Sequence, residues 1–229
     1  MGILTIGEIC DEVRLATGVG IEADWPDTRI QAALNWTILH LSSPKVYRHK
    51  ELEDERTIPL VAGTSTYIIN IIDNLRTRAL YNLAVVNPTD PTDRWPLYPL
   101  NERKAHDMRG RYQAERPRWW STWGATLVEL LPTPSTAYHG WNLSVRRLIV
   151  PPAVNVVTGA NNTHPFADDW DEAVVLGTIW RTWRIKKDWK QAELCKAEFG
   201  QLVNEIKDRL QLEAEDYDGM VDLYNPPIQ

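Results

Sequence analysis

The chain has 229 residues, 43% hydrophobic and 24% charged, with a mean hydropathy of −0.38, so it carries material for a sizeable core in one large domain or two small ones. Lys and Arg total 25 against 31 acids, giving a net charge of −6 and a pI near 5.4, which argues against a protein that coats nucleic acid by charge. The longest nearly apolar stretch, Ala79 to Val86, is broken by Asn82 and falls far short of the ~20 residues that cross a bilayer, so no membrane partner is expected.

No base precedes Arg14, and Met1-Gly2 is followed by Ile6 where myristoylation needs Ser or Thr, so neither a secretory signal nor a lipid anchor is expected. Thr5 and Glu8 form a capping-box pair, and Ile6, Ile9, Val13 and Ala16 then repeat at helical spacing up to Gly18 and Gly20. The run Gly18-Val19-Gly20-Ile21-Glu22-Ala23 matches the loose dinucleotide spacing, but a helix precedes it where a strand is required, so it reads as a helix-ending turn. Asp24-Trp25-Pro26 opens a second helix with proline in its first turn. Its stripe is Ile30, Ala33, Leu34, Ile38 and Leu41, stopped by Ser42-Ser43-Pro44 and followed by a charged connector from Lys45 to Arg56.

The period then shortens to two. Strands are predicted at Thr57 to Val61, Thr66 to Ile72, Thr77 to Val86, Trp95 to Leu97, Arg118 to Trp123, Thr126 to Leu131 and Trp141 to Ile149. Asn101 caps a short helix to Gly110. Past Pro165, Asp168 or Asp169 caps a helix bearing Ala173, Val174, Leu176, Ile179, Trp180 and Trp183. After Asp188 a longer helix carries Ala192, Cys195, Phe199, Leu202, Val203, Ile206 and Leu210. The expected class is α+β: residues 1–56 and 153–212 supply a helical bundle, 57–152 an inserted, mostly antiparallel β domain in the form of a small sandwich, and 213–229 an extended acidic tail.

Chemistry-bearing motifs are sparse. Cys10 and Cys195 stand far apart and read as thiols without a disulfide. The histidines at 40, 49, 106, 139 and 164 lack metal-ligand spacing, and Asp168-Asp169-Asp171-Glu172 reads as the acidic first turn of a helix. No catalytic residue, cofactor or metal is therefore expected, and the chain does not read as an enzyme.

Eleven tryptophans are spread over the whole chain, a composition suited to contacts. Two segments invite binding. Arg103, Lys104, Arg109, Arg111, Arg116 and Arg118, set against Asp107 and Glu115, run into Trp119-Trp120-Ser121-Thr122-Trp123. Bases beside aromatics suit a single-stranded nucleic-acid platform, and exposed tryptophans on a β-sandwich suit sugar rings. The weightier reading is packing, with Trp119 and Trp123 inside and Trp120 meeting a neighbouring subunit. The tail interleaves Tyr217, Met220, Val221, Leu223, Tyr224 and Ile228 with Glu213, Glu215, Asp216, Asp218 and Asp222 and holds no base. Such a segment is expected to be disordered in the free chain and to order on a partner.

The order of landmarks is a helix pair, Ile58-Pro59-Leu60, Gly63-Thr64-Ser65-Thr66-Tyr67-Ile68-Ile69, the Leu75 to Val86 strand and the polar Asn101 to Tyr112 segment. Then come Pro117, Trp119 and Trp120 ahead of Leu127-Val128-Glu129-Leu130-Leu131-Pro132-Thr133-Pro134, the Tyr138 to Pro152 run, Pro165-Phe166-Ala167-Asp168-Asp169-Trp170-Asp171-Glu172-Ala173-Val174 and a closing long helix. Over residues 5 to 212 this resembles the bacteriophage head-to-tail adaptor (connector, or head completion) proteins. The resemblance implies a structural protein of the virion neck, assembled in the host cytoplasm as a homo-oligomeric ring, commonly of twelve copies. It implies a portal protein above, a tail or nozzle protein below, and DNA passing through the channel without specific binding. The competing classes are a carbohydrate-binding module and a single-stranded nucleic-acid-binding module.

Overall fold

The computed structural model describes residues 4–20, 26–69, 71–72, 75–123, 126–210 and 221–222. The chain divides into two compact units, Met1–Leu52 with Pro151–Ala214, and Glu53–Val150 with Glu215–Gln229.

In the first unit, α1 (Ile6–Thr17) opens on the expected capping box, Thr5 accepting from the Glu8 backbone while Glu8 accepts from that of Thr5. It buries Ile6, Ile9, Cys10, Val13 and Thr17, and it stops at Gly18, whose φ of 62° favours glycine. α2 (Asp27–Leu41) buries Ile30, Ala33, Leu34, Thr37, Ile38 and Leu41. Pro26 stands at its N-cap in extended conformation, one position earlier than the sequence predicts.

The central helix is α4 (Asp171–Lys186), against which α1, α2 and α5 (Trp189–Arg209) all pack. The N- and C-terminal helices thus bury one another's apolar stripes, as expected. Gly177 permits the close approach: a Cβ there would lie 2.6 Å from Thr37 Cγ2 and 2.9 Å from Phe199 Cε2. Asp188 caps α5 through the Gln191 N–H. Neither Asp168 nor Asp169 caps α4. The chain makes a 3-10 turn over Asp168–Trp170 first, so the helix starts at Asp171.

The second unit is a single curled sheet where a sandwich was expected. Its strands are β1 (Glu53–Pro59), β2 (Thr66–Ile68), β3 (Ile71–Ile72), β4 (Leu75–Val86), β5 (Arg94–Pro99), β6 (Trp119–Trp123), β7 (Leu127–Leu131), β8 (Asn142–Ile149) and β9 (Val221–Asp222), with α3 (Glu102–Met108) between β5 and β6. The hydrogen-bonded order is β1-β8-β4-β5-β6-β7-β2, with β3 and β9 on β4. This path runs unbroken through β4-β5-β6, where a sandwich would separate into layers. The β4–β8 register shifts, between Thr77 and Ala79 and between Leu80 and Asn82, supply the bend.

Among the described strands the pairings are antiparallel except β5 with β6, where Tyr98 faces Trp119, because the intervening α3 segment carries the chain back to its starting end. The concave face buries Tyr67, Leu80, Leu83, Val85, Leu97, Trp120, Val128, Leu130, Leu143 and Val145 together. β1 begins within the expected charged connector. Glu53 to Arg56 is a strand because β8 answers its charges, with Arg146 Nε donating to Glu55 at 2.9 Å and Arg147 Nη2 to Asp54 at 2.7 Å.

Candidate partner-binding surface

The tryptophan-rich strand β6 alternates in the opposite phase to the expected one. Trp120 is 2% exposed, at the centre of the core, and so presents no surface to a neighbour. Its phase follows from pairing, since it lies opposite Leu130 of β7 and Pro99 of β5, and Leu130 faces the core with Val128. Trp119, Ser121 and Trp123 therefore occupy the convex face, opposite Leu131, Glu129 and Leu127 of β7. The pairing continues into β2, where Ile68 lies opposite Leu127 and Thr66 opposite Glu129.

α3 lies over part of this face. Asn101 caps it as predicted, accepting from the Lys104 N–H at 2.8 Å, and Ala105 is its buried residue. Just past its end, Arg109 directs its guanidinium onto the sheet. Nε donates to both carboxylate oxygens of Glu129 (2.8 and 3.0 Å), Nη2 donates to Oε2 at 2.7 Å, and the group stacks 4.1 Å from the Trp123 ring. Glu129 is buried, so this pair replaces the water it has lost. The glutamate in the otherwise apolar run from Leu127 to Leu131 was the one sequence signal of such a partner.

Of the four expected basic contact residues, Arg109 is thus engaged inside its own unit, whereas Arg103, Lys104 and Arg111 are exposed. Around them the convex face leaves Ile68 (68% exposed), Tyr98 (62%), Trp123 (46%) and Tyr112 (46%) open, with Tyr112 against the half-buried Trp119 at 5.8 Å between ring centres. The sequence did not mark Ile68 or Tyr98, because exposure of an apolar strand residue depends on which face its partners turn inward.

Most described tryptophans serve packing. Trp95 sits with Tyr138 and Trp141, its indole N–H donating to the Pro117 carbonyl at 2.8 Å. In the helical unit Trp36 stacks on His40 at 5.1 Å and meets Trp180 edge-on. Of the tail residues, Tyr217, Met220, Leu223, Tyr224 and Ile228 lie outside the described residues. The backbone of Val221–Asp222 pairs with Leu80 and Ala79, between the stretches of β4 taken by β3 and β5. This part of the tail, expected to be disordered in the free chain, adds a short strand to the stretch of β4 left between β3 and β5.

Among the described residues no three His, Cys, Asp or Glu side chains are placed to hold a metal ion. Asp169 pairs with Arg209 at 2.9 Å, and Asp171 accepts from the Leu4 N–H at 3.0 Å and from His164 at 2.6 Å. His164 Nδ1 accepts from the Phe166 N–H, so its Nε2 carries the proton donated to Asp171. Burial depresses the pKa of His164 while the Asp171 bond works against that, and burial takes His49 down to about 3. Both are buried, packing residues. A cleft of about 300 Å³ within residues 152–165 is lined by Val154, Asn155, Gly159 and Asn162 among others, with no charged side chain.

Among the described residues no helix is long and apolar enough to cross a membrane. No curated protein matches the chain. The family model described as SU10 adaptor protein matches residues 4–222, which takes in the helices at both ends, the whole sheet and the tail strand. With its contact-rich surfaces and its helix–sheet–helix order, the chain belongs to the SU10 adaptor protein family, a family of phage head-to-tail adaptor proteins.

Proposed function

We propose that the chain is the ring-forming adaptor of a phage neck. Copies of it, twelve by the family resemblance, assemble beneath a portal ring, extend the DNA channel and present a platform to the tail or nozzle protein below. The observation that carries this reading is the family match across residues 4–222, which takes in both units. The acidic balance is consistent with a bore that lets DNA through without gripping it. Arg103, Lys104 and Arg111 then face protein or the exterior, and the tail on either side of the Val221–Asp222 strand docks on the portal or on an adjacent subunit through Tyr217, Met220, Leu223, Tyr224 and Ile228.

The sugar and single-strand readings lose their motive. Trp120 is buried, and the exposed tryptophans among the described residues, Trp123 and Trp189, lie on different units and offer no run of rings for stacking. Mixing the purified chain with candidate portal rings tests the adaptor reading by electron microscopy. A stoichiometric ring-on-ring complex is expected. Failure to join any portal, together with salt-sensitive binding to single-stranded DNA or retention on a polysaccharide, overturns it.

A further inference from the structure

We propose that neighbouring copies meet through the convex sheet face of one copy and the outer face of α1 of the next. The inference rests on the ring reading above and names its contact.

The two surfaces are complementary. α1 turns Ile6, Ile9, Cys10 and Val13 inward, which leaves Glu8, Asp11, Glu12 and Leu15 as a single outer stripe at i, i+3, i+4 and i+7. Three of the four are acids, and the fourth, Leu15, is 87% exposed. The stripe is therefore a carboxylate row with one apolar anchor. The sheet face is its converse, with Ile68, Tyr98, Tyr112 and Trp123 open to solvent beside the exposed bases Arg103, Lys104 and Arg111. An aromatic and aliphatic surface receives a leucine, and its basic rim receives the carboxylates.

The occupant is a second copy, because both surfaces belong to this chain and neither matches itself. Sheet face on sheet face would set bases against bases, and stripe on stripe acids against acids. A contact between two different patches of identical chains is heterologous and repeats from copy to copy until it closes, which is what a ring requires. The chain's other acidic and apolar segment, the tail, is the weaker occupant, since Val221–Asp222 is already paired to β4 of its own chain.

Charge reversal tests the contact in the full chain. Arg103→Glu with Lys104→Glu, and separately Asp11→Lys with Glu12→Lys, change exposed side chains only and should melt as the native chain does. Each pair should lower the ring population on portal rings by roughly tenfold or more, with an ordinary salt dependence lost. All four changes in one chain restore opposite charges across every contact and should recover rings. Chains that keep native melting and still form rings overturn the contact, as does failure of the fourfold variant to recover. If the native chain forms no ring, the adaptor reading itself fails and the contact with it. As a second readout, Leu15→Cys chains mixed with Ile68→Cys chains should cross-link to each other in assembled rings under a short thiol-reactive linker. Absence of that product in rings that do form also overturns the contact.

Discussion

Arg147 brings a full guanidinium into the β unit with no exposed side-chain surface, and each of its five N–H donors has an acceptor. Nε and Nη2 reach Asp54 (3.0 and 2.7 Å), Nη1 the Leu75 carbonyl and Thr77 Oγ1 (3.0 Å each), and Nη2 also the Ile72 carbonyl at 3.1 Å. One side chain thereby ties β8 to β1, β3 and β4. Arg147→Met leaves Asp54 with Arg56 alone, at 3.3 Å, and unpairs two carbonyls, and is expected to destabilise the chain by about 3–5 kcal/mol in urea titration. Arg147→Lys keeps the charge but not the fork, so it should recover only part of the loss. Its partner Asp54 stands 93 residues away, which no local pattern reveals. The buried histidines set a pH dependence. His49 Nε2 donates to the Leu41 carbonyl among the rings of Phe166 and Trp170, with its pKa near 3, against ~6.5 unfolded. Between these values the unfolded chain binds more protons, so stability falls as pH drops, by on the order of 2 kcal/mol from pH 7 to pH 5. His49→Phe should flatten that slope. An unchanged slope would move its origin to other groups.

At the level of elements, two helical glycines should respond in opposite ways to the same change. Both Gly177 in α4 and Gly200 in α5 cost helix propensity, so alanine at either gains about 0.5–1 kcal/mol before packing is counted. At Gly200 nothing lies within 4 Å of the added Cβ, and Gly200→Ala should raise the melting temperature. At Gly177 the Cβ runs into Thr37, whose hydroxyl is held by the Ala33 carbonyl, and into buried Phe199. Gly177→Ala should therefore cost a net ~1–3 kcal/mol, read in the same thermal melts. Helices were the legible part of the fold because their signals are local: Thr5 with Glu8 and Asn101 each cap where the sequence puts them. Strands were legible in place but less in number, phase and extent, seven being predicted where nine are described. Glu53 to Arg56 hides as a charged linker until Arg146 and Arg147 arrive from β8, and β6 inverts because Leu130 and Pro99 decide which of its faces is inner. The candidate surface shared that fate. Its basic helix was readable from residues 103–111, while the exposure of Ile68 and Tyr98 and the burial of Trp120 were products of sheet pairing.

For the molecule as a whole, the consequential feature is where the chain enters and leaves the sheet. The entry strand β1 and the exit strand β8 are antiparallel neighbours, with Glu53 directly opposite Leu148, so the β unit begins and ends at one place. Leu52 and Pro151, the flanking ends of the helical unit, stand one and three residues along the chain from that pair. An insertion with adjacent ends can be removed without stretching what remains. Residues 53–150 alone should fold and melt cooperatively, and the helices should fold when Leu52 is joined to Pro151 by a short Gly/Ser linker. The tail supplies the sharper test, because its strand belongs to the sheet while the helix before it belongs to the other unit. In the 53–150 fragment the β4 edge at Ala79 and Leu80 lacks β9, so a synthetic peptide of residues 215–229 should bind there and raise the fragment's melting temperature with concentration, as any ligand specific to the folded state does. A peptide with Val221→Pro loses a strand N–H and fits the ladder poorly, and it should raise the melting temperature less. If both peptides act alike, or neither acts, the tail strand contributes nothing to the sheet, and deletion of residues 216–229 should then leave the stability of the full chain unchanged.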